Sequence, residues 1–262
     1  MHKGESVLQL YLAVTPTQVP GASAYCHSFA HVAYSIGKNS QLLRNSLLVQ
    51  TQGGLLALTD REAPAIGAPD QLCAAVLREC NRRGYAGLLA DFEEALTPDR
   101  RIFLERLAGV LRQNRRSLFA PQQYEIPGAV PLVCTATSGG DLRVYLQECL
   151  RGPTVPALDI QRLIMDFPLP SPAGEGRPME LAELRRLLDE RQPAVFYAPD
   201  LCAKYFTYTE NGEGHFILFD DAATIGQKLR MAEELGFGTV FLMYPEVEDL
   251  LAELFGRQRQ EP

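Results

Sequence analysis

Short β-rich runs alternate with amphipathic helical stripes along almost the whole chain, and this alternation limits the fold more than any other feature. Two parallel strands need a crossover long enough to hold a helix, so a repeated strand–helix rhythm points to parallel βα units. The runs predicted as strands are residues 7–14, 28–36 (SFAHVAYSI), 45–58, 87–92 (GLLADF), 117–120, 160–167 (IQRLIMDF), 194–198 (AVFYA) and 239–244 (TVFLMY). The third contains two apolar runs, SLLVQ and LLALT, separated by Gly53-Gly54. A further apolar run at 130–134 lies in a less regular segment.

Helices fill the intervals. Pro69 opens one whose Leu72, Cys73, Val76, Leu77 and Cys80 recur at i, i+3 and i+4, and Gly84 closes it. Thr97-Pro98 starts another with Phe103, Leu107, Val110 and Leu111 on its apolar face. Further helices are expected at 141–150, 179–190, from Asp220 or Asp221 to Gly236, and at 246–254. Tyr205 to Tyr208 and His215 to Phe219 flank Asn211-Gly212, a tight-turn signal for a β-hairpin. Eight βα units with one hairpin between strands seven and eight make an α/β chain, a (β/α)8 TIM barrel in a single domain over residues 1–262.

The 262 residues suit one barrel, which typically needs about 250. Net charge is −7, and basic residues occur as short pairs such as Arg82-Arg83 and Arg115-Arg116 rather than as a patch. Nucleic acid is therefore excluded as a partner, because polyanion binding needs clustered cations. No run reaches the ~18 apolar residues of a membrane span, and residues 7–14 read as a strand rather than a signal peptide. The six cysteines form no CxxC pair and read as reduced core thiols, consistent with a cytoplasmic setting. His27 and His31 lack a third ligand, so no metal is expected, and no motif calls for a cofactor. Gly53-Gly54 lacks the spacing of a phosphate loop, and Ser138-Gly139-Gly140 reads as a capping turn.

Chemistry concentrates in GYAGLLADFEE, residues 84–94. Side chains alternate along a strand, so Gly87, Leu89, Asp91 and Glu93 share one face and Leu88, Ala90 and Phe92 the other. The first face points into the barrel, with Asp91 and Glu93 about 6.6 Å apart at the C-terminal strand end, where barrels build their sites. Two carboxyls that close cannot both ionise freely, which raises one of their pKa values. The competing explanation, acidic residues favoured at a helix start, fits Glu94 better than Asp91, because Thr97-Pro98 marks the helix start later.

These residues resemble glycoside hydrolase family 18, the chitinase-like barrels, and particularly their spore-cortex-lytic branch. The family's fourth-strand pattern is matched by Gly87, Asp91, Phe92 and Glu93. FAHVAYSI is similar to its second strand, and LIMDF to its sixth-strand Met-x-Tyr-Asp segment. The stretch from Ala203 to Tyr244, with its tyrosine-rich strand, His215 and Phe-Asp-Asp cap, is similar to the branch as well. The resemblance implies a substrate-assisted retaining mechanism on β-linked N-acetylated amino sugars of chitin or peptidoglycan type. Glu93 would be the acid and then the base, and Asp91 would orient the acetamido group. The branch includes spore proteins, so a spore-associated location stands beside a cytoplasmic one.

Substrate contacts are expected from Tyr11, Gln122, Tyr124, Asp166, Phe167, Tyr197, Met243 and Tyr244, of which Tyr197 and Tyr244 are placed at strand ends. Asp166 fits a solvated loop-end aspartate equally well, Gln122, Gln123 and Tyr124 fit ordinary polar residues after a strand, and His215 is expected on the hairpin surface. Several positions depart from the family. Leu89 replaces a polar residue beneath Asp91, Phe167 a tyrosine, Pro168 an aspartate and Met243 a tryptophan. They motivate a second reading, a catalytically degenerate barrel that binds glycan or protein. A Schiff-base enzyme is disfavoured, since neither Lys204 nor Lys228 sits at a clear strand end. Oligomeric state has no signal in the sequence.

Overall fold

The computed structural model describes residues 8–46, 50–61, 63–93, 95–170 and 174–256. Its strands in chain order are β1 (Gln9–Val14), β2 (Phe29–Gly37), β3 (Gln41–Arg44), β4 (Leu55–Thr59), β5 (Gly87–Asp91), β6 (Ser117–Pro121) and β7 (Val130–Cys134). They continue with β8 (Ala157–Asp159), β9 (Ile164–Leu169), β10 (Arg177–Pro178), β11 (Phe196–Ala198), β12 (Ala203–Glu210), β13 (Glu213–Phe219) and β14 (Thr239–Met243). The helices are α1 (Val19–Ala22), α2 (Pro69–Arg83), α3 (Pro98–Gln113), α4 (Leu142–Cys149), α5 (Leu181–Arg191), α6 (Ala222–Leu235), α7 (Tyr244–Val247) and α8 (Leu251–Phe255).

Eight strands close into the expected parallel barrel, in the order β1-β14-β8-β7-β6-β5-β4-β2, with β2 returning to β1. Its interior holds Ala13, Ala30, Ala57 and Ala157 against Leu55, Leu89, Phe119 and Phe241. Small side chains on some strands leave room for large ones on others, which is how a barrel interior fills without voids. Phe119 and Phe241 meet edge to face at 5.1 Å. Gly87 is required by this closeness, since a Cβ there would stand 2.4 Å from the Ser117 carbonyl oxygen. Leu88, Ala90 and Phe92 pack outward with α2 and α3, as alternation predicts. A second outer layer joins α4, α6 and α8 to β1, β8 and β14.

Helix termini follow the sequence closely. Gly84 and Gly236 end α2 and α6 in the left-handed region, at φ 71° and 86°. Asp221 caps α6 in a reciprocal box with Thr224. Asp141 accepts from Val144 N–H at 2.9 Å to start α4. Thr97 precedes α3 without a side-chain cap. The expected C-terminal helix is divided into α7 and α8.

The assignment of barrel strands six and seven needs correction. The sixth is β7, the apolar run at 130–134 outside the eight predicted strands, and the seventh is the three-residue β8. The runs predicted for those places form β9 and β11 in a separate antiparallel sheet, ordered β10-β9-β13-β12-β11. The hairpin β12–β13 does occur between the seventh and eighth barrel strands, but as two members of that five-stranded sheet, with α5 packed on one face. In the third-strand segment, LLALT supplies β4, while residues 47–49 of SLLVQ lie outside the described residues, as does Val7 of the first. No helix among the described residues is long and apolar enough to cross a membrane.

Candidate active site

The C-terminal ends of β5, β6, β7, β8 and β14 surround a cleft of about 480 Å³. Asp91 ends β5 and Glu93 follows two residues later, just beyond the strand, and both line the cleft. Its floor is apolar, built from Ala13, Leu89, Leu132, Phe241 and Met243. Every charged side chain lining it among the described residues is acidic: Asp91, Glu93, Asp159 and Glu246.

Glu93 is set by two neighbours from the end of β4. The carboxylate of Asp60, fully buried, accepts the Glu93 backbone N–H at 3.0 Å and lies 3.0 Å from Arg100 Nε. Arg61 Nη2 reaches both Glu93 carboxylate oxygens, at 2.7 and 2.9 Å. The Glu93 side chain is 55% exposed, so this ion pair is open to solvent and readily exchanged. Asp91 is more enclosed. Burial raises its pKa above the usual carboxylate value, the Glu93 charge adds to the rise, and Arg61 opposes it.

Sequence reading missed Asp159, Gln161, Glu246 and Tyr145. Asp159 ends β8, and Gln161 Nε2 donates to its Oδ2 at 2.6 Å. Burial, with the nearby Glu246 and Asp91 charges, pushes its pKa up to about 7 against the Gln161 hydrogen bond. Burial also raises Glu246, whose Oε2 accepts the Arg162 backbone N–H at 3.0 Å. Tyr145 on α4 is driven up to about 12, first by burial and then by Cys149 beside it, and so presents a neutral hydroxyl. The signal for Asp159 was the short run Ala157-Leu158-Asp159, which ends on a carboxyl as the fourth strand does.

The structure brings together four of the ten expected site residues: Asp91, Glu93, Gln122 and Met243. Gln123 joins them. Tyr11 stacks on Phe241 inside the barrel, with ring centroids 5.6 Å apart, and does not line the cleft. Tyr124 is buried in the layer beneath α2 and α3. Tyr244 turns back toward α1, where its hydroxyl donates to Glu248 at 3.0 Å. Asp166, Phe167 and Tyr197 belong to the antiparallel sheet rather than to the barrel mouth, because the runs carrying them are not barrel strands. Asp166 is buried between Arg177 and His215, at 2.7 and 3.0 Å, so neither a solvated Asp166 nor a surface His215 is found. Phe167 packs on Phe216, and Tyr197, 45% exposed, donates to Gln227. Glu94 lies outside the described residues. No cluster of potential metal ligands occurs among the described residues.

No family model matches the sequence, and no curated protein matches it. Solved structures do. A chitinase from Chromobacterium violaceum ATCC 12472 superposes with TM-score 0.67 at 12% identity, over 97% of this chain and all of that one. A family 18 chitinase from Cycas revoluta in complex with (GlcNAc)3 gives 0.65 at 13%, over 95% of this chain and 98% of that one. The spore cortex-lytic enzyme SleL from Bacillus megaterium QM B1551 gives 0.63 at 14%, over 99% of this chain and 77% of that one. At the level of fold, the chain is similar to family 18 glycoside hydrolases of the chitinase and cortex-lytic kind.

Proposed function

We propose that this protein is a glycoside hydrolase that cleaves β-linked N-acetylated amino sugars, of chitin or peptidoglycan type, with retention. The observation that carries the reading is the placement of Asp91 and Glu93 together in an open cleft at the C-terminal face of a parallel barrel. The fold shared with chitinases and a cortex-lytic enzyme supports the substrate class.

In this reading the sugar's 2-acetamido oxygen attacks the anomeric carbon while Glu93 gives its proton to the departing glycosidic oxygen. The glycosidic bond breaks as the acetamido oxygen–carbon bond forms. Glu93, now ionised, takes a proton from the water that opens the oxazolinium-like intermediate. Asp91 holds the acetamido N–H and balances the developing positive charge. Arg61 must yield its contact with Glu93 before the carboxyl can face a leaving group, and the exposure of that pair makes the exchange inexpensive.

Incubation with chitooligosaccharides and peptidoglycan fragments tests the proposal. Hydrolysis by the wild type and its loss in Glu93→Gln is the expected result. Equal hydrolysis by both forms removes Glu93 from the chemistry, and saturable binding without turnover assigns the cleft to a binding module instead.

A further inference from the structure

Asp159 lines the same cleft as Asp91 and Glu93, yet the reaction outlined above gives it no task. It ends β8, three strands around the barrel from β5, and so approaches a bound ligand from another side. Gln161 Nε2 donates to one of its oxygens at 2.6 Å and leaves the other for a ligand. The groups around it are Asp91 from β5, Glu93 beyond that strand, Cys134 from β7, Tyr145 from α4 and Glu246 from α7. None of them is a cation. Arg162 is engaged by the Glu246 carbonyl and Asp249, and Lys228 by Asp220. Burial first, and then the Glu246 and Asp91 charges, push the Asp159 carboxyl up to about 7, so it keeps its proton to unusually high pH.

A protonated carboxyl differs from an ionised one in having an O–H to give. In an apolar-floored cleft such a group acts as a hydrogen-bond donor rather than as a charge. Neutral glycans offer it two kinds of acceptor, hydroxyl oxygens and the amide oxygens of N-acetyl groups. We propose that Asp159, in its protonated form, is a substrate-contacting residue that donates a hydrogen bond to an amide or hydroxyl oxygen of the glycan. Ionised Asp159 would instead set a negative charge against that oxygen, so ligand affinity becomes dependent on pH. The inference rests on the glycan reading above and deepens it.

The test uses full-length Glu93→Gln, which stops turnover, titrated calorimetrically with (GlcNAc)3 and with a GlcNAc–MurNAc disaccharide between pH 5.5 and 8.5. Affinity is expected to fall by about tenfold from pH 6 to pH 8, as the donor is lost through a pKa of about 7. Adding Asp159→Asn, which is isosteric and keeps an N–H donor, should remove that pH dependence while holding the acid-side affinity. Adding Asp159→Ala should weaken binding by about tenfold at pH 6 and change it little at pH 8, where the donor is already lost. Unchanged pH dependence in the asparagine form, or unchanged affinity at pH 6 in the alanine form, overturns the role of Asp159 and leaves the glycan reading standing. Absence of binding and of turnover in every form, the wild type included, overturns both.

Discussion

Lys228 Nζ stands 2.9 and 2.7 Å from the two carboxylate oxygens of Asp220, and the side chains are 1% and 0% exposed. The pair sits where the antiparallel sheet joins the barrel. Asp220 also accepts the Leu163 backbone N–H at 2.9 Å and the Thr224 hydroxyl at 2.8 Å, and its own N–H reaches the Leu163 carbonyl at 2.7 Å. Entry to and exit from the inserted sheet are thus tied to one carboxylate. Lys228→Met should cost about 3–5 kcal/mol, because it strands a buried charge with only its neutral donors. Lys228→Met with Asp220→Asn should cost less than the two singles summed, since the stranded charge is gone. Urea unfolding of the three variants measures this, and a single-variant cost below about 1 kcal/mol would show that water reaches the pair.

Asp159 should make the fold less stable as pH rises. Its folded pKa of about 7 stands above the ordinary 3.8, so between those values the folded state holds a proton that the unfolded chain releases. Stability is therefore greatest below the unfolded value and declines as pH climbs toward 7. At 1.36 kcal/mol per pK unit the full effect is at most about 4 kcal/mol, reduced by water in the open cleft. Asp159→Asn should be more stable than wild type at pH 8 and indistinguishable from it at pH 4. A constant difference between the two across that range in urea titrations would refute the linkage.

The barrel was legible in the sequence because its outer helices carry clean apolar stripes and most of its strands have flanking glycine or proline. The misplaced strands have a physical cause. β8 has three residues, too few for a period-two pattern to register, and β7 carries Pro131, which weakens its strand signal. Ile164–Leu169 and Phe196–Ala198 look like strands and are strands, but apolar composition does not specify a parallel or antiparallel partner. Asn211-Gly212 revealed the pairing of β12 with β13, which a local turn sets. The pairing of β9 with β13 is made by distant segments and leaves no local mark. Asp91 and Glu93 were visible because alternation places both on one face of one strand. Asp159 carried only the faint signal of a three-residue run ending on a carboxyl, and Glu246 reaches the cleft through closure of the barrel, which no local spacing encodes.

Asp91→Asn should separate binding from chemistry. Asp91 is enclosed above Leu89, and an asparagine of the same shape keeps the packing while losing the charge that balances the cationic intermediate. An interaction of that kind grows on the way to the transition state, so kcat should fall by about 10²-fold or more with KM for a chitooligosaccharide changed far less. The folded protein should be at least as stable as wild type near neutral pH, because burial already disfavours the Asp91 charge. A kcat within threefold of wild type would remove Asp91 from the reaction.

His31 should give stability the opposite pH slope from Asp159. It lies on the outer face of β2, 0% exposed, with Phe29 and Tyr85 rings centred 6.0 and 5.7 Å away, and neither ring nitrogen has a well-aligned hydrogen-bond partner. Burial lowers its pKa below the usual 6.5, with the Gln50 backbone opposing the shift. Below 6.5 the unfolded chain takes up a proton that the folded protein refuses, so stability present above that pH is lost as pH falls toward the folded value. His31→Phe keeps an aromatic ring against the same neighbours and removes both the titration and the poorly satisfied ring nitrogens. It should therefore be more stable than wild type at pH 7.5 by about 1 kcal/mol, with a margin that widens at pH 5. Urea midpoints at the two pH values decide the matter. Parallel loss of stability in both proteins on acidification would mean that other groups, and not His31, set the acid limb.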